Sequence, residues 1–203
     1  MRVLSLNRTR RAASMASATR ILERGGVVVI PTETSYGMAA DACNPRAVAR
    51  VRRLKGRGSK PMAVIASSAA MVRTFFHVEA VAGQLMRRHW PGPLTLVLPV
   101  RDRRLARAGL SPDGEVGVRV SSAAVPRAIS RALGRPVVAT SANRSGAPPP
   151  PGLAEFIKQF RGKKLPDAFL DGGRLPRRAA STVARIVSGR VRIVRPGPVS
   201  PRV

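Results

Sequence analysis

The chain has 203 residues, 44% of them apolar and only 3% aromatic, and 37 Lys and Arg against 10 Asp and Glu give it a formal charge of +27. That length and apolar share fit one well-buried α/β domain, and the charge calls for polyanionic company: nucleotide, RNA or an acidic surface. Few aromatics argue against a base-stacking surface, and the single Cys43 with two separated histidines, His77 and His89, excludes a disulfide framework or a zinc cluster; no apolar run approaches the ~20 residues of a membrane span.

The first residues carry Arg2, Arg8, Arg10 and Arg11 without an acid, a composition shared with mitochondrial transit peptides. The preferred reading is a basic arm over 1–13, disordered or a short strand, ahead of one catalytic domain over 14–203. Ser14 to Arg24 reads as a helix stopped by Gly25-Gly26, and Val27 to Ile30 as a core strand. That strand runs into Pro31-Thr32-Glu33-Thr34-Ser35-Tyr36-Gly37. A polar run at the end of a buried strand is where open α/β sheets bind ligands, although a turn with a capping threonine also accounts for it.

Asn44-Pro45 gives an N-cap and first helical residue; Val48, Val51 and Leu54 then share one face while Arg46, Arg50 and Arg53 face away. The helix stops at Gly56. There Lys55-Gly56-Arg57-Gly58-Ser59-Lys60-Pro61 places three cations and a hydroxyl before the apolar run Met62 to Ile65. It is either a phosphate cradle or a solvated basic loop. Ser67 to Phe76 and Val78 to Arg88 read as helices, and Trp90-Pro91-Gly92-Pro93 as a rigid brace before the strand Thr95 to Val100.

Arg101 to Gly114 is expected to be a basic loop. In the strand Val116 to Val120, Arg119 sits among apolar residues, which requires a carboxylate or an anionic ligand; with so few acids a ligand is the expectation. After a helix over Pro126 to Leu133, the strand Pro136 to Ala139 opens into Thr140-Ser141-Ala142-Asn143-Arg144-Ser145-Gly146, a cluster suited to donating hydrogen bonds to phosphate. Pro148 to Pro151 form a stiff connector, Gly152 to Phe160 an amphipathic helix, and Ala168 to Leu170 lead to Asp171-Gly172-Gly173. The end reads as a hairpin, Ser181 to Val187 and Val191 to Val194 about Ser188-Gly189, followed by Arg195-Pro196-Gly197.

In this order, the Gly25-Gly26 and PTETSYG segments, KGR with its Lys-Pro, WPGPLTLVLP, VGVRV, VVATSANRSG, LDGG, STV and RPG resemble the threonylcarbamoyl-AMP synthase family of YrdC-type proteins, across roughly residues 20 to 197. The resemblance implies a YrdC-like α/β fold with a large twisted mixed β-sheet, surrounded by helices, around a positively charged cavity. It implies a cytoplasmic nucleotidyltransferase that joins L-threonine, bicarbonate or CO2 and ATP into threonylcarbamoyl-adenylate and pyrophosphate. The adenylate would serve N6-threonylcarbamoyladenosine formation in tRNA through a downstream tRNA threonylcarbamoyl transferase complex. By position, Lys55 and Arg57 match the catalytic phosphate-binding pair, with Lys60, Asn143 and Arg195 on ATP. Thr32, Thr34, Tyr36, Arg119, Ser141 and Ser181 match threonine-binding positions. No protein metal site is expected, since Mg2+ would be held mainly by the ATP phosphates.

The chain departs from the pattern at several points. The KGR loop is one residue short, Ile65 stands where many relatives have histidine, Glu115 where threonine is common, Arg185 where aspartate is frequent, and Pro149 to Pro151 replace a hydroxyl-bearing segment. Two other readings stand beside the synthase: an RNA-binding module of the same fold without activity, and a carbamoyl-adenylate-forming relative, which usually carries large extra domains. The surplus charge is expected to give weak tRNA contact, as in double-stranded RNA binding, through the arginine-rich start, the Arg101 to Arg107 loop and Arg174 to Arg178.

Overall fold

The computed structural model describes residues 1–56 and 58–202; Arg57, one of the two expected phosphate ligands, lies outside them. The chain begins with β1 (Arg2–Ser5) and α1 (Arg11–Glu23). The helix starts ahead of Ser14 because Asn7 closes the preceding turn: its Oδ1 accepts from the Arg10 amide at 2.9 Å and its carbonyl from the Arg11 amide at 3.0 Å. Strands β2 (Val28–Pro31) and β3 (Tyr36–Ala39) form a hairpin around the Thr32–Ser35 turn.

Helix α2 (Pro45–Lys55) has the expected ends. The Asn44 side chain accepts from the Arg46 and Ala47 amides at 3.0 and 3.2 Å, and Gly56 closes the helix in the left-handed region at φ 59°. Then come β4 (Val64–Ala66), α3 (Ala69–Phe75), α4 (Ala80–His89) and β5 (Leu94–Pro99). The expected basic loop contains a short helix, α5 (Arg103–Ala106), because the Asp102 carboxylate caps it through the Arg104 and Leu105 amides.

The remaining elements are β6 (Glu115–Val120), α6 (Ala124–Leu133), β7 (Val137–Val138), β8 (Thr140–Ser141), α7 (Leu153–Gln159), β9 (Ala168–Asp171), β10 (Thr182–Val187) and β11 (Arg190–Arg195). Ser188 and Gly189, at φ 50° and 73°, make the turn of the last hairpin, with both central residues left-handed as its twist requires.

The α/β architecture is present, with its strands shared between two mixed sheets rather than one. A five-stranded sheet has the order β1-β9-β2-β3-β8 and a six-stranded sheet the order β11-β10-β5-β6-β4-β7. The basic start is therefore partly built into the fold, since β1 pairs in parallel with β9. The two sheets meet where β7, paired with β4, gives way at Ala139 to β8, paired with β3. This crossing places the Thr140–Gly146 segment between them. Behind the sheets, one buried cluster includes Phe156, Phe160, Phe169 and Tyr36, and a second joins Leu22 of α1 to Ile129 and Leu133 of α6. No helix among the described residues is long and apolar enough to cross a membrane.

Candidate active site

A cavity of about 1390 Å³ opens between the sheets. One wall carries hydroxyls: Thr32, Thr34 and Ser35 from the β2–β3 turn, and Thr140 and Ser141 from β8. The other carries Thr95, Arg119, Arg185 and Arg195 from the six-stranded sheet and Ser181 from just before β10, with Gly117 in the floor. A Cβ on Gly117 would lie 3.1 Å from the Thr95 methyl, so any larger residue there would push into the wall. Gly197, in the Arg195-Pro196-Gly197 turn, runs so close to the chain at Ala180 to Thr182 that a Cβ would overlap backbone atoms. That close approach brings the Arg195 side chain onto Ser181.

On the cationic wall, Arg195 donates from Nη2 to the Ser181 carbonyl at 2.7 Å and to its Oγ at 3.2 Å, and the Ser181 and Thr95 hydroxyls share a hydrogen bond at 2.8 Å. Burial, and then the neighbouring charge of Arg119, push the Arg195 pKa down. Both effects oppose a cation, and a bound anion would answer both.

Arg119 has the carboxylate that composition made improbable. Its Nε donates to Glu33 Oε1 at 3.0 Å, the two side chains being 8% and 7% exposed, and the Ser121 hydroxyl donates to the other Glu33 oxygen. The expectation of a ligand as its required partner is corrected, because an internal acid satisfies the burial. The signal was available: Glu33 is the one acid in the polar loop, but pairing it with Arg119 needs the crossing of the sheets. Glu33 thereby fixes the guanidinium, leaving its terminal nitrogens without a carboxylate among the described residues.

Several expected ligands are engaged elsewhere. Lys55 is only 2% exposed and does not line the cavity; its Nζ donates to the carbonyls of Ser141 and, at 2.7 Å, Asn143. It clamps the loop after β8 onto the end of α2. The Asn143 amide donates to the Arg144 and Ala147 carbonyls at 2.8 and 2.6 Å, while its buried Oδ1 has no partner among the described residues. Tyr36 is fully buried, its hydroxyl donating to the Gly173 carbonyl at 2.7 Å and accepting from the Gly172 amide at 3.0 Å. Lys60 is exposed and does not line the cavity. Thr32, Thr34, Arg119, Ser141, Ser181 and Arg195 are the expected residues that the fold brings to the cavity.

Arg52, which the reading of the helix faces passed over, braces the cationic loop by donating to the carbonyls of Gly58, Lys60 and Gly109 at 2.7, 2.9 and 2.6 Å. Glu115 and Arg185, two departures from the family pattern, pair with each other across the cavity wall at 2.9 Å. The single thiol is not a poised nucleophile: burial, and then the charges of Asp41 and Asp102, push Cys43 up to about 12.

The Sua5/YciO/YrdC family model, described as telomere recombination, matches residues 20–197. A threonylcarbamoyl-AMP synthase of Thiobacillus denitrificans is 36% identical over 172 residues, which cover 84% of this chain and 89% of that protein. The Pyrococcus abyssi threonylcarbamoyl-AMP synthase is 34% identical over 184 residues, 89% of this chain and 53% of that protein. The crystal structure of the Pyrococcus abyssi Sua5 complexed with L-threonine superposes with a TM-score of 0.85 at 30% identity, over 97% of this chain and 58% of the other. This chain thus spans only part of the longer archaeal proteins. Escherichia coli YciO shares the fold, with a TM-score of 0.83 at 24% identity over 98% of this chain and 96% of the other. On this match across most of its length, the chain belongs to the Sua5/YciO/YrdC family, among proteins named threonylcarbamoyl-AMP synthase.

Proposed function

We propose that the chain is a nucleotidyltransferase that condenses L-threonine, bicarbonate or CO2 and ATP into threonylcarbamoyl-adenylate and pyrophosphate, for tRNA modification. The observation that carries this reading is the cavity's division into a hydroxyl wall and a wall bearing Arg119 and Arg195. Threonine brings a carboxylate and ATP brings a phosphate chain. A site with two neighbouring guanidiniums and five facing hydroxyls can take both anions without burying a lone charge.

The threonine nitrogen attacks the carbon of CO2 and loses a proton to solvent, giving a carbamate. A carbamate oxygen then attacks the α-phosphorus, the bond to the bridging oxygen breaks, and pyrophosphate departs with the electron pair. Negative charge grows on the phosphoryl oxygens and the leaving group, so fixed positive charge and alignment do most of the catalysis. Arg119, held by Glu33, suits the amino-acid carboxylate because its position is set before substrate arrives. Arg195 suits the nucleotide side, and its hydrogen bond to Ser181, an expected threonine contact, sets the two subsites side by side. Lys55 acts at one remove, holding the 141–143 backbone that carries the Ser141 hydroxyl.

Mg2+ would be carried in by the nucleotide and held mainly by its phosphates; of the carboxylates that line the cavity, Glu115 and Glu155 are paired with Arg185 and Arg174, and Asp113 has no ion pair among the described residues. The ion would neutralise phosphate charge, and Thr32, Thr34 and Ser35 are the cavity hydroxyls that would meet its waters. The test is omission: pyrophosphate release is expected only when threonine, bicarbonate and ATP are all present. Release that ignores threonine would contradict the proposal.

A further inference from the structure

A second hollow, of about 570 Å³, lies away from the cavity residues and shares no lining side chain with them. Its charged lining is entirely cationic: Arg50 and Arg53 from the outer face of α2, Arg144 from the loop after β8, and Lys163 and Lys164 from the α7–β9 connection, over Leu54 and Leu165. Asp167 neutralises Arg50 through two hydrogen bonds at 2.7 and 2.8 Å. Arg53, Arg144, Lys163 and Lys164 have no carboxylate partner among the described residues. Arg53, in the last turn of α2, also answers the negative end of that helix; the other three come from loops and have no such duty. Like charges held around one concavity repel, and a compact multivalent anion relieves all of them at once.

We infer that this hollow is a second anion site, for a compact chain of phosphates such as pyrophosphate or the triphosphate of a small molecule, and that its filling is felt in the main cavity. A hollow rather than a long basic stripe favours the small anion over an extended nucleic-acid strand. The coupling runs through one short loop. Arg144 lines the hollow, its carbonyl accepts from the Asn143 amide, and Lys55 holds the Ser141 and Asn143 carbonyls and, through its own carbonyl, the Ser145 amide at 3.0 Å. Ser141, in the same clamped stretch, lines the main cavity. The hollow's own lining is separate from that of the cavity, while the coupling and the second binding equivalent rest on the reading of the main cavity as a nucleotide site.

The test is titration of the whole protein with inorganic tripolyphosphate by calorimetry, at an ionic strength of about 0.1 M where exposed charges farther than ~10 Å are screened. The wild type should bind two equivalents. The Arg53→Ser, Lys163→Ser, Lys164→Ser variant, altered only at exposed positions, should keep one and lose the other, with affinity there down roughly tenfold or more. The Arg195→Ala variant should show the reverse pattern. Hydrogen exchange in residues 141–147 should slow when the second equivalent binds. Two equivalents in the triple variant, a single wild-type equivalent that vanishes with Arg195→Ala, or unchanged exchange in that loop would each overturn the inference. So would a triple variant that loses affinity for a short single-stranded RNA while its tripolyphosphate binding is unchanged, which would make the hollow a nucleic-acid contact.

Discussion

Glu33 and Arg119 are the clearest case of residues whose roles separate stability from chemistry. Removing the carboxylate alone leaves a guanidinium 8% exposed without its partner. Breaking such a buried pair costs about 3–5 kcal/mol, whereas replacing both members with apolar or neutral groups of similar size is far less disruptive. Glu33→Gln should therefore lower the urea midpoint strongly, and the Glu33→Gln, Arg119→Met double variant should recover much of that loss while staying inactive in pyrophosphate release. Recovery of activity along with stability would remove Arg119 from the substrate site. Lys55 behaves differently. A side chain 2% exposed that clamps two carbonyls cannot be removed silently, so Lys55→Ala should lose both thermal stability and activity, and an unchanged melting temperature would contradict the clamp.

At the scale of elements, Arg50 and Asp167 tie α2 to the turn that leads into β9, and Asp167 Oδ2 also accepts from the Val27 amide at 2.8 Å. Burial alone would raise this carboxyl, but the Arg50 hydrogen bonds, the Val27 amide and the attraction of the guanidinium outweigh it and hold the pKa below the ordinary value. A depressed carboxylate stabilises the fold above its unfolded pKa, near ~3.9, and loses that contribution as pH falls through the lower folded value. Acid unfolding of the wild type should therefore steepen below about pH 4, and Asp167→Asn should flatten that part of the curve. Identical acid curves would contradict the tie.

The same pair marks the limit of what sequence reading reached. Asn44, Pro45 and Gly56 announced α2 because caps and stops are local, whereas Arg50 read as a solvated residue because its partner lies 117 positions away. The single expected sheet became two because nothing local to Val137 through Ser141 tells which strand each residue pairs with. Six expected ligands reached the cavity, since hydroxyls and arginines at strand ends point where the strands end. Lys55, Asn143 and Tyr36 were placed by their match to the family pattern, in which their hydrogen bonds to backbone carbonyls are invisible.

For the whole molecule, the charge of +27 exceeds what one nucleotide needs. Part of the excess rims the cavity, where Arg174, Arg177 and Arg178 line its edge, and part lies at the exposed Arg8, Arg10 and Arg11. Weak tRNA binding through these groups should fall by about one unit of log-log slope per phosphate neutralised as salt rises, and changing Arg8, Arg10 and Arg11 to serine should reduce the slope. Affinity independent of salt would remove RNA contact from the account. The claim on which the rest depends is that this cavity makes an adenylate. The most direct measurement is mass spectrometry of the products formed from ATP, L-threonine and isotopically labelled bicarbonate. The account predicts threonylcarbamoyl-adenylate carrying the label, in step with pyrophosphate, in the wild type but not in the Glu33→Gln, Arg119→Met variant. Pyrophosphate without a labelled adenylate, or labelled adenylate in equal yield from both proteins, would contradict it.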